Sequence, residues 1–229
     1  MKTILLWDWP TRLFHWLLVL CVAGAFASIL LADNLILWHA RLGYGVIFLI
    51  AFRLVWGVLG STYARFGHFF PTPLKIKNYL NGNWNGAGHN PLGAFSVFAL
   101  LFLCALQAFS GLFTNDEIMF KGALSSLIDV DLSLWITSIH KQMAWVLMAF
   151  VALHVLAIVL YKIIKKDNLV IPMITGKKTL SDDFAQNYQA APIWVWIVAI
   201  LFSCLVLYLA LGCWIPEPEI SVPPPAPDW

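Results

Sequence analysis

Residues 134–164 read LWITSIHKQMAWVLMAFVALHVLAIVLYKII, and this stretch decides the fold. A bilayer crossing needs about 20 predominantly apolar residues. The run exceeds that, yet it carries His140, Lys141, Gln142, His154 and Lys162. Ionisable groups inside membrane helices are costly, rare and usually functional. As a helix, the stretch rises about 21 Å between His140 and His154 and turns through about 1400°, roughly 40° short of four full turns. Both imidazoles therefore project from one face, at opposite depths.

Four further apolar runs flank it, at residues 13–31, 39–59, 92–113 and 193–215. Lipid offers backbone groups no water, so such runs must be helices. The composition agrees: of 229 residues, 61% are apolar and 11% charged, against about 25% charged in soluble domains. A formal net charge of +2 is too balanced for a nucleic-acid binder. Aromatics reach 15%, with 12 Trp, as interfacial belts and apolar cofactor pockets require. Cys21, Cys104, Cys204 and Cys213 form no CxxC pair and no CxxCH, which argues against a zinc or thiol–disulfide centre and against covalent haem attachment.

Basic residues orient the chain. With the N-terminus inside, Lys2, Arg12, Arg53, Arg65, Lys75, Lys77, Lys162, Lys165, Lys166, Lys177 and Lys178 are cytoplasmic, and only Arg41, Lys121 and Lys141 lie outside. The expected fold is an all-α integral membrane protein. A four-helix bundle within residues 1–180 is followed, within 181–229, by a linker, a fifth span and an extended Pro-rich tail, with the C-terminus out. The first span also imitates a signal peptide, with Ala25-Phe26-Ala27 as a cleavage site. Its near-spanning length, and the Asp8, Pro10 and two Trp residues before it, favour a retained helix.

Depth sorts the histidines. His39 and His140 fall at the outer face, His15 and His154 nearer the inner one; His68 and His89, among Asn and Gly, read as solvated loop residues. Two His–His pairs in an apolar bundle suit six-coordinate haem iron, and facing helices of a four-helix bundle form an established cofactor cage. The plain alternative makes the four histidines hydrogen-bonded structural groups or a proton path. Arg41 and Arg53 are placed to pair with haem propionates or simply to snorkel to the interface. Gly43, Gly45 and Gly57 would admit a flat macrocycle or simply pack helices. Asp8, Gln107, Ser110 and His89 are polar groups near an interface that form no convergent quinone site.

Trp7-Asp8-Trp9-Pro10-Thr11-Arg12-Leu13-Phe14-His15-Trp16, His39 with Gly43-Tyr44, His140 with Ala144-Trp145, and Leu153-His154 resemble the bacterial di-haem cytochromes b of the cytochrome b561 type. That family includes the b-type subunits of nickel–iron hydrogenases. The resemblance spans roughly residues 5–180. It implies two b haems on His15, His39, His140 and His154, and electron transfer in the inner membrane with quinone as substrate. Residues 111–124 and 168–177 resemble the branch associated with small periplasmic di-haem cytochromes c, which implies a c-type cytochrome partner. The fifth helix and the tail depart from the family's four-helix core.

Eight acids outside (Asp33, Asp116, Glu117, Asp129, Asp131, Glu217, Glu219 and Asp228) would steer a basic partner. Three other functions compete. The chain could anchor a hydrogenase-like complex, act as a superoxide:quinone oxidoreductase using Lys141 or Arg41 to attract the anion, or serve as a non-redox scaffold with the histidines as a proton relay.

Overall fold

The computed structural model describes residues 2–31, 33–84, 86, 88–118, 120–180 and 188–216. Among these, five helices are long and apolar enough to cross a membrane. They are α1 (Trp9–Leu31), α2 (Ile36–Leu59), α5 (Pro91–Gly111), α6 (Val130–Ile164) and α8 (Ile193–Ala210). Short helices α3 (Phe66–Phe69), α4 (Pro73–Leu80) and α7 (Val170–Thr175) lie between them.

Several spans begin earlier than hydropathy alone predicts, because polar caps precede the apolar residues. Asp8 Oδ1 accepts the Thr11 N–H at 2.9 Å, so α1 starts at Trp9 instead of residue 13. Asn90 Oδ1 accepts the Gly93 N–H at 2.8 Å with Pro91 in the first turn, and Asp129 Oδ1 accepts the Leu132 N–H at 2.9 Å. An N-cap oxygen satisfies a helical N–H that otherwise has no partner, and Pro suits the first turn because it lacks that N–H. The fifth span ends at Ala210 instead of residue 215. Gly212, at φ +68°, turns the chain into the left-handed region, where glycine avoids the Cβ penalty.

The element order brings α1, α2, α5 and α6 to one centre. Val46 and Ile50 of α2, Cys104 of α5 and Leu147 of α6 are buried together, with Leu18, Cys21, Val22 and Phe26 of α1 against them. The fifth helix packs along α2: Val195 and Ala199 are fully buried against Trp56 and Ala64. Large apolar side chains cover the outward faces, among them Leu20, Leu30, Phe102, Leu153, Ile193 and Leu201. In a bilayer these meet lipid rather than water.

One departure from the all-α expectation lies at the N-terminal side of the bundle. Residues Lys2–Leu5 (β1) pair antiparallel with Lys177–Leu180 (β2), Lys2 opposite Leu180 and Leu5 opposite Lys177. Gly176, at φ +81°, offers its carbonyl to both the Leu6 and Trp7 N–H groups, at 2.7 and 3.1 Å. A Cβ there would meet the Trp7 carbonyl oxygen at 2.7 Å, so the residue must be glycine. The strand pair joins the start of α1 to the segment after α6, which no hydropathy pattern foretells. Residues 181–187 of the linker and 217–229 of the tail lie outside the described residues, and with them the expectation of an extended tail.

Candidate cofactor-binding sites

Odd and even spans run antiparallel, so the bundle has an N-terminal side and a far side. His39, near the start of α2, and His140, early in α6, meet at the far side, with ring centroids 6.1 Å apart and planes at 83°. Between α1, α2, α5 and α6 opens a cavity of about 550 Å³, lined by His39, Gly43, Val46, Gln107, Gly111, His140, Ala144 and Leu147 among others. That volume lies within the range of about 300–1,000 Å³ typical of cofactor sites. Gly43 borders it with open space where a Cβ would stand. Gly45 instead accommodates Cys21, and Gly57 the Phe66 ring, which a Cβ would approach to 2.1 Å. Of the three glycines, only Gly43 opens on the cavity.

Both far-side imidazoles are held at Nδ1. His39 Nδ1 lies 2.9 Å from the Ala25 carbonyl oxygen, and His140 Nδ1 lies 2.9 Å from Ser110 Oγ. Gln107 reaches the same ring: its Nε2 donates to the His140 carbonyl at 3.0 Å and lies 3.2 Å from His140 Nε2. Gln107 and Ser110, which read in the sequence as unconnected interfacial polar groups, thus converge on one histidine. Their i, i+3 spacing on a single helix face was the available signal.

The N-terminal side gathers a second group. His15 of α1 and His154 of α6 are close enough to act on each other electrostatically, and Ser96 Oγ lies 3.4 Å from His154 Nδ1. His89 belongs here too, which corrects its reading as a solvated loop residue. Its ring sits between Trp7 and Phe69, with centroids at 4.5 and 4.6 Å, and its Nδ1 is enclosed. Burial pushes the His89 imidazole down to about 3, and nearby Arg53, His154 and His15 add to the effect. Hydropathy missed it because a Gly-rich flank with Asn on either side hides a residue that tertiary packing folds inward. His68 is half-buried on α3, edge-on to Tyr63, and burial, with Lys75 and Arg65 beside it, lowers its imidazole too.

The two arginines part company. Arg53 is only 3% exposed; its Nη2 donates to the Ala64 carbonyl at 3.0 Å, its guanidinium lies 4.5 Å above the Phe66 ring, and Nη1 has no partner among the described residues. Arg41 is exposed and lies 5.0 Å above the Trp38 ring, outside the cavity lining, as snorkelling would leave it. Lys141 does line the cavity. Asp8 serves structure: its Oδ2 accepts Trp56 Nε1–H at 2.9 Å and the Ser61 hydroxyl at 2.6 Å.

The family model for prokaryotic cytochrome b561 matches residues 6–176, which contain all of these groups. The chain belongs to the prokaryotic cytochrome b561 family. It is similar to the probable Ni/Fe-hydrogenase B-type cytochrome subunit of Azotobacter chroococcum mcd 1, at 23% identity, covering 79% of this chain and 90% of that protein. The probable Ni/Fe-hydrogenase 1 B-type cytochrome subunit of Escherichia coli K12 is 22% identical, covering 74% and 88%. No solved structure matches. A cytochrome b561 is a multi-pass membrane protein, in bacteria of the inner membrane, whose b-type haem carries electrons.

The residues present fit such a group. Neutral imidazole is a ready metal ligand, and His39 and His140 line one apolar cavity with ring centroids 6.1 Å apart. On the N-terminal side, Arg53 Nη1, His15 Nδ1 and His89 Nδ1 are all enclosed without protein partners among the described residues. Buried polar atoms are ordinarily satisfied, so three together are what an anionic, polar-edged ligand would complete.

Proposed function

We propose that this cytochrome b561 holds two b haems, one between His39 and His140 and the other between His15 and His154. It would pass electrons across the bilayer between the quinone pool and a c-type cytochrome on the outer face. The observation that carries the reading is the His39–His140 pair lining one apolar cavity on one side of the bundle, and His15 and His154 within electrostatic reach of each other on the other side support it. Basic residues favour an N-terminus inside, which makes the far side the outer one.

Haem supplies a one-electron site, and the chain supplies its surroundings. Four imidazoles would hold the two haem irons, and iron so held would serve electron transfer rather than oxygen chemistry. Gly43 admits a flat ring against α2, and the apolar walls exclude water. Arg53 offers an N–H without a partner among the described residues and a buried positive charge on the inner side, suited to a carboxylate. The test is haem per polypeptide by pyridine haemochrome on the purified protein. Two are expected, falling to one in His39→Ala or His140→Ala and, separately, in His15→Ala or His154→Ala. A colourless, folded protein from haem-replete cells would end this reading.

A second reading is favoured by the relatives' names: the chain serves as the membrane cytochrome b subunit of a hydrogenase-like complex, passing electrons inward to quinone. Purification of the untagged complex from its native membrane separates the two. A large nickel–iron partner favours the second reading, a soluble c-type cytochrome the first.

A further inference from the structure

The hydrogen bonds around His140 determine which of its ring nitrogens carries the proton. A serine hydroxyl has one proton to donate, and the Gln107 backbone carbonyl, 3.0 Å from Ser110 Oγ, can only accept it. With that proton directed at the carbonyl, Ser110 Oγ accepts from His140 Nδ1, 2.9 Å away, which matches a ring with hydrogen on Nδ1. The other face of the ring leads to the same tautomer independently. The Gln107 side-chain atom nearest His140 Nε2 is 3.0 Å from the His140 carbonyl oxygen and must be the amide nitrogen, since two oxygens would repel. An amide nitrogen only donates, so Nε2, 3.2 Å from it, is the bare, accepting nitrogen. That lone pair is the one iron would use, with the Gln107 amide giving it up.

We propose that Ser110 is a positioning residue: it holds His140 in the tautomer with hydrogen on Nδ1, which leaves Nε2 the nitrogen able to pass from the Gln107 amide to the outer haem iron, and it lowers that haem's potential. The inference rests on the haem reading above. The physical reason for the potential is that an N–H donated to an oxygen makes the imidazole more basic, and a more basic axial ligand favours ferric over ferrous iron. His39 is held alike by the Ala25 carbonyl.

The inner side carries a looser copy of the device. Ser96 and Ser110 are 14 residues apart on α5, as are His140 and His154 on the antiparallel α6. The repeat sets one serine hydroxyl opposite each histidine Nδ1, but at 3.4 Å for Ser96 and His154 against 2.9 Å for Ser110 and His140. A hydrogen bond at 3.4 Å is weak. The outer haem is accordingly the one this device controls.

The experiment is a spectroelectrochemical redox titration of the full-length protein in detergent, with the outer haem assigned as the one lost in His140→Ala. Ser110→Ala is expected to keep two haems and raise the outer potential alone. A tenfold change in the ferric-to-ferrous ratio would be about 59 mV for this one-electron couple. Ser110→Thr, which retains the hydroxyl, is expected to restore the wild-type value, and Ser96→Ala to move the inner haem less. An unchanged outer potential in Ser110→Ala, an equal shift of both haems, or no restoration by Thr overturns the proposal. Should Ser110→Ala lose the outer haem, Ser110→Cys, a weak acceptor of similar size, is titrated instead, and an unchanged potential there overturns it equally. Haem content of the wild type is measured first: one haem or none overturns the underlying haem reading, whereas two haems with an unmoved potential overturn only the role of Ser110.

Discussion

Asp8 Oδ2 accepts the indole N–H of Trp56 at 2.9 Å, tying the first residue before α1 to the last turns of α2. The same carboxylate caps α1 through Thr11 and receives the Ser61 hydroxyl. It is 5% exposed, and Trp56 1%. Asp8→Ala would remove a cap and strand two buried donors, at a cost on the order of 3 kcal/mol. The check is thermal unfolding in detergent, where Asp8→Asn, which keeps a side-chain carbonyl for the cap, is expected to lose less. Equal melting of Asp8→Ala and wild type would show that the junction is held elsewhere.

Gly43→Phe is expected to abolish the outer haem while leaving the fold and the inner haem in place. Open space surrounds its Cβ position, and the side chain would project into the cavity. Gly57→Ala is the contrast, since its Cβ would collide with the Phe66 ring at 2.1 Å. That change should destabilise by about 1–3 kcal/mol through overpacking without entering the cavity. Haem content and melting temperature, read on the same two preparations, separate a filled site from a strained helix contact.

Arg53 and Arg41 should differ sharply. Arg53→Met keeps an apolar partner for Phe66 but removes a buried cation from the inner side, so the inner haem becomes harder to reduce, by an amount on the order of 1 kcal/mol. Arg41→Gln removes an exposed cation resting on Trp38 and should leave both potentials where they were. A potential that shifts in Arg41→Gln, and not in Arg53→Met, would reverse the assignment of the buried charge.

Acid should loosen the N-terminal side through His89. Its imidazole is pushed down to about 3 by burial, with Arg53, His154 and His15 adding to the effect, while an unfolded histidine titrates near about 6.5. Between those values the unfolded chain binds the extra proton, so stability rises with pH. The contribution is complete above about 6.5 and is lost progressively toward pH 3. His89→Gln is expected to flatten this part of the pH profile of unfolding, measured on haem-free protein between pH 7 and 4. An unaltered slope would place the acid sensitivity in another group.

The five spans and the depths of their histidines follow from local properties: apolar run length, helical rise and the placement of lysine and arginine. Such properties survive without knowledge of what packs on what, and the WDWPTRLFHW segment at residues 7–16 adds a resemblance specific enough to indicate the family. Helix beginnings were less legible, because the caps Asp8, Asn90 and Asp129 are polar residues that an apolar count treats as outside. The strand pair of Lys2–Leu5 with Lys177–Leu180 joins segments some 170 residues apart, a distance no local pattern crosses.

By itself, the sequence determined an all-α membrane bundle with four histidines at two depths. Tertiary structure alone decided what surrounds them. It turned Gln107 and Ser110 onto His140, drew His89 between Trp7 and Phe69, buried Arg53 while leaving Arg41 exposed, and laid the fifth helix along α2. The physical reason is one of range. Crossing a membrane is a property of each segment against lipid, whereas a hydrogen bond or a buried charge depends on which neighbour lies within about 3 Å, and only the packed bundle sets that.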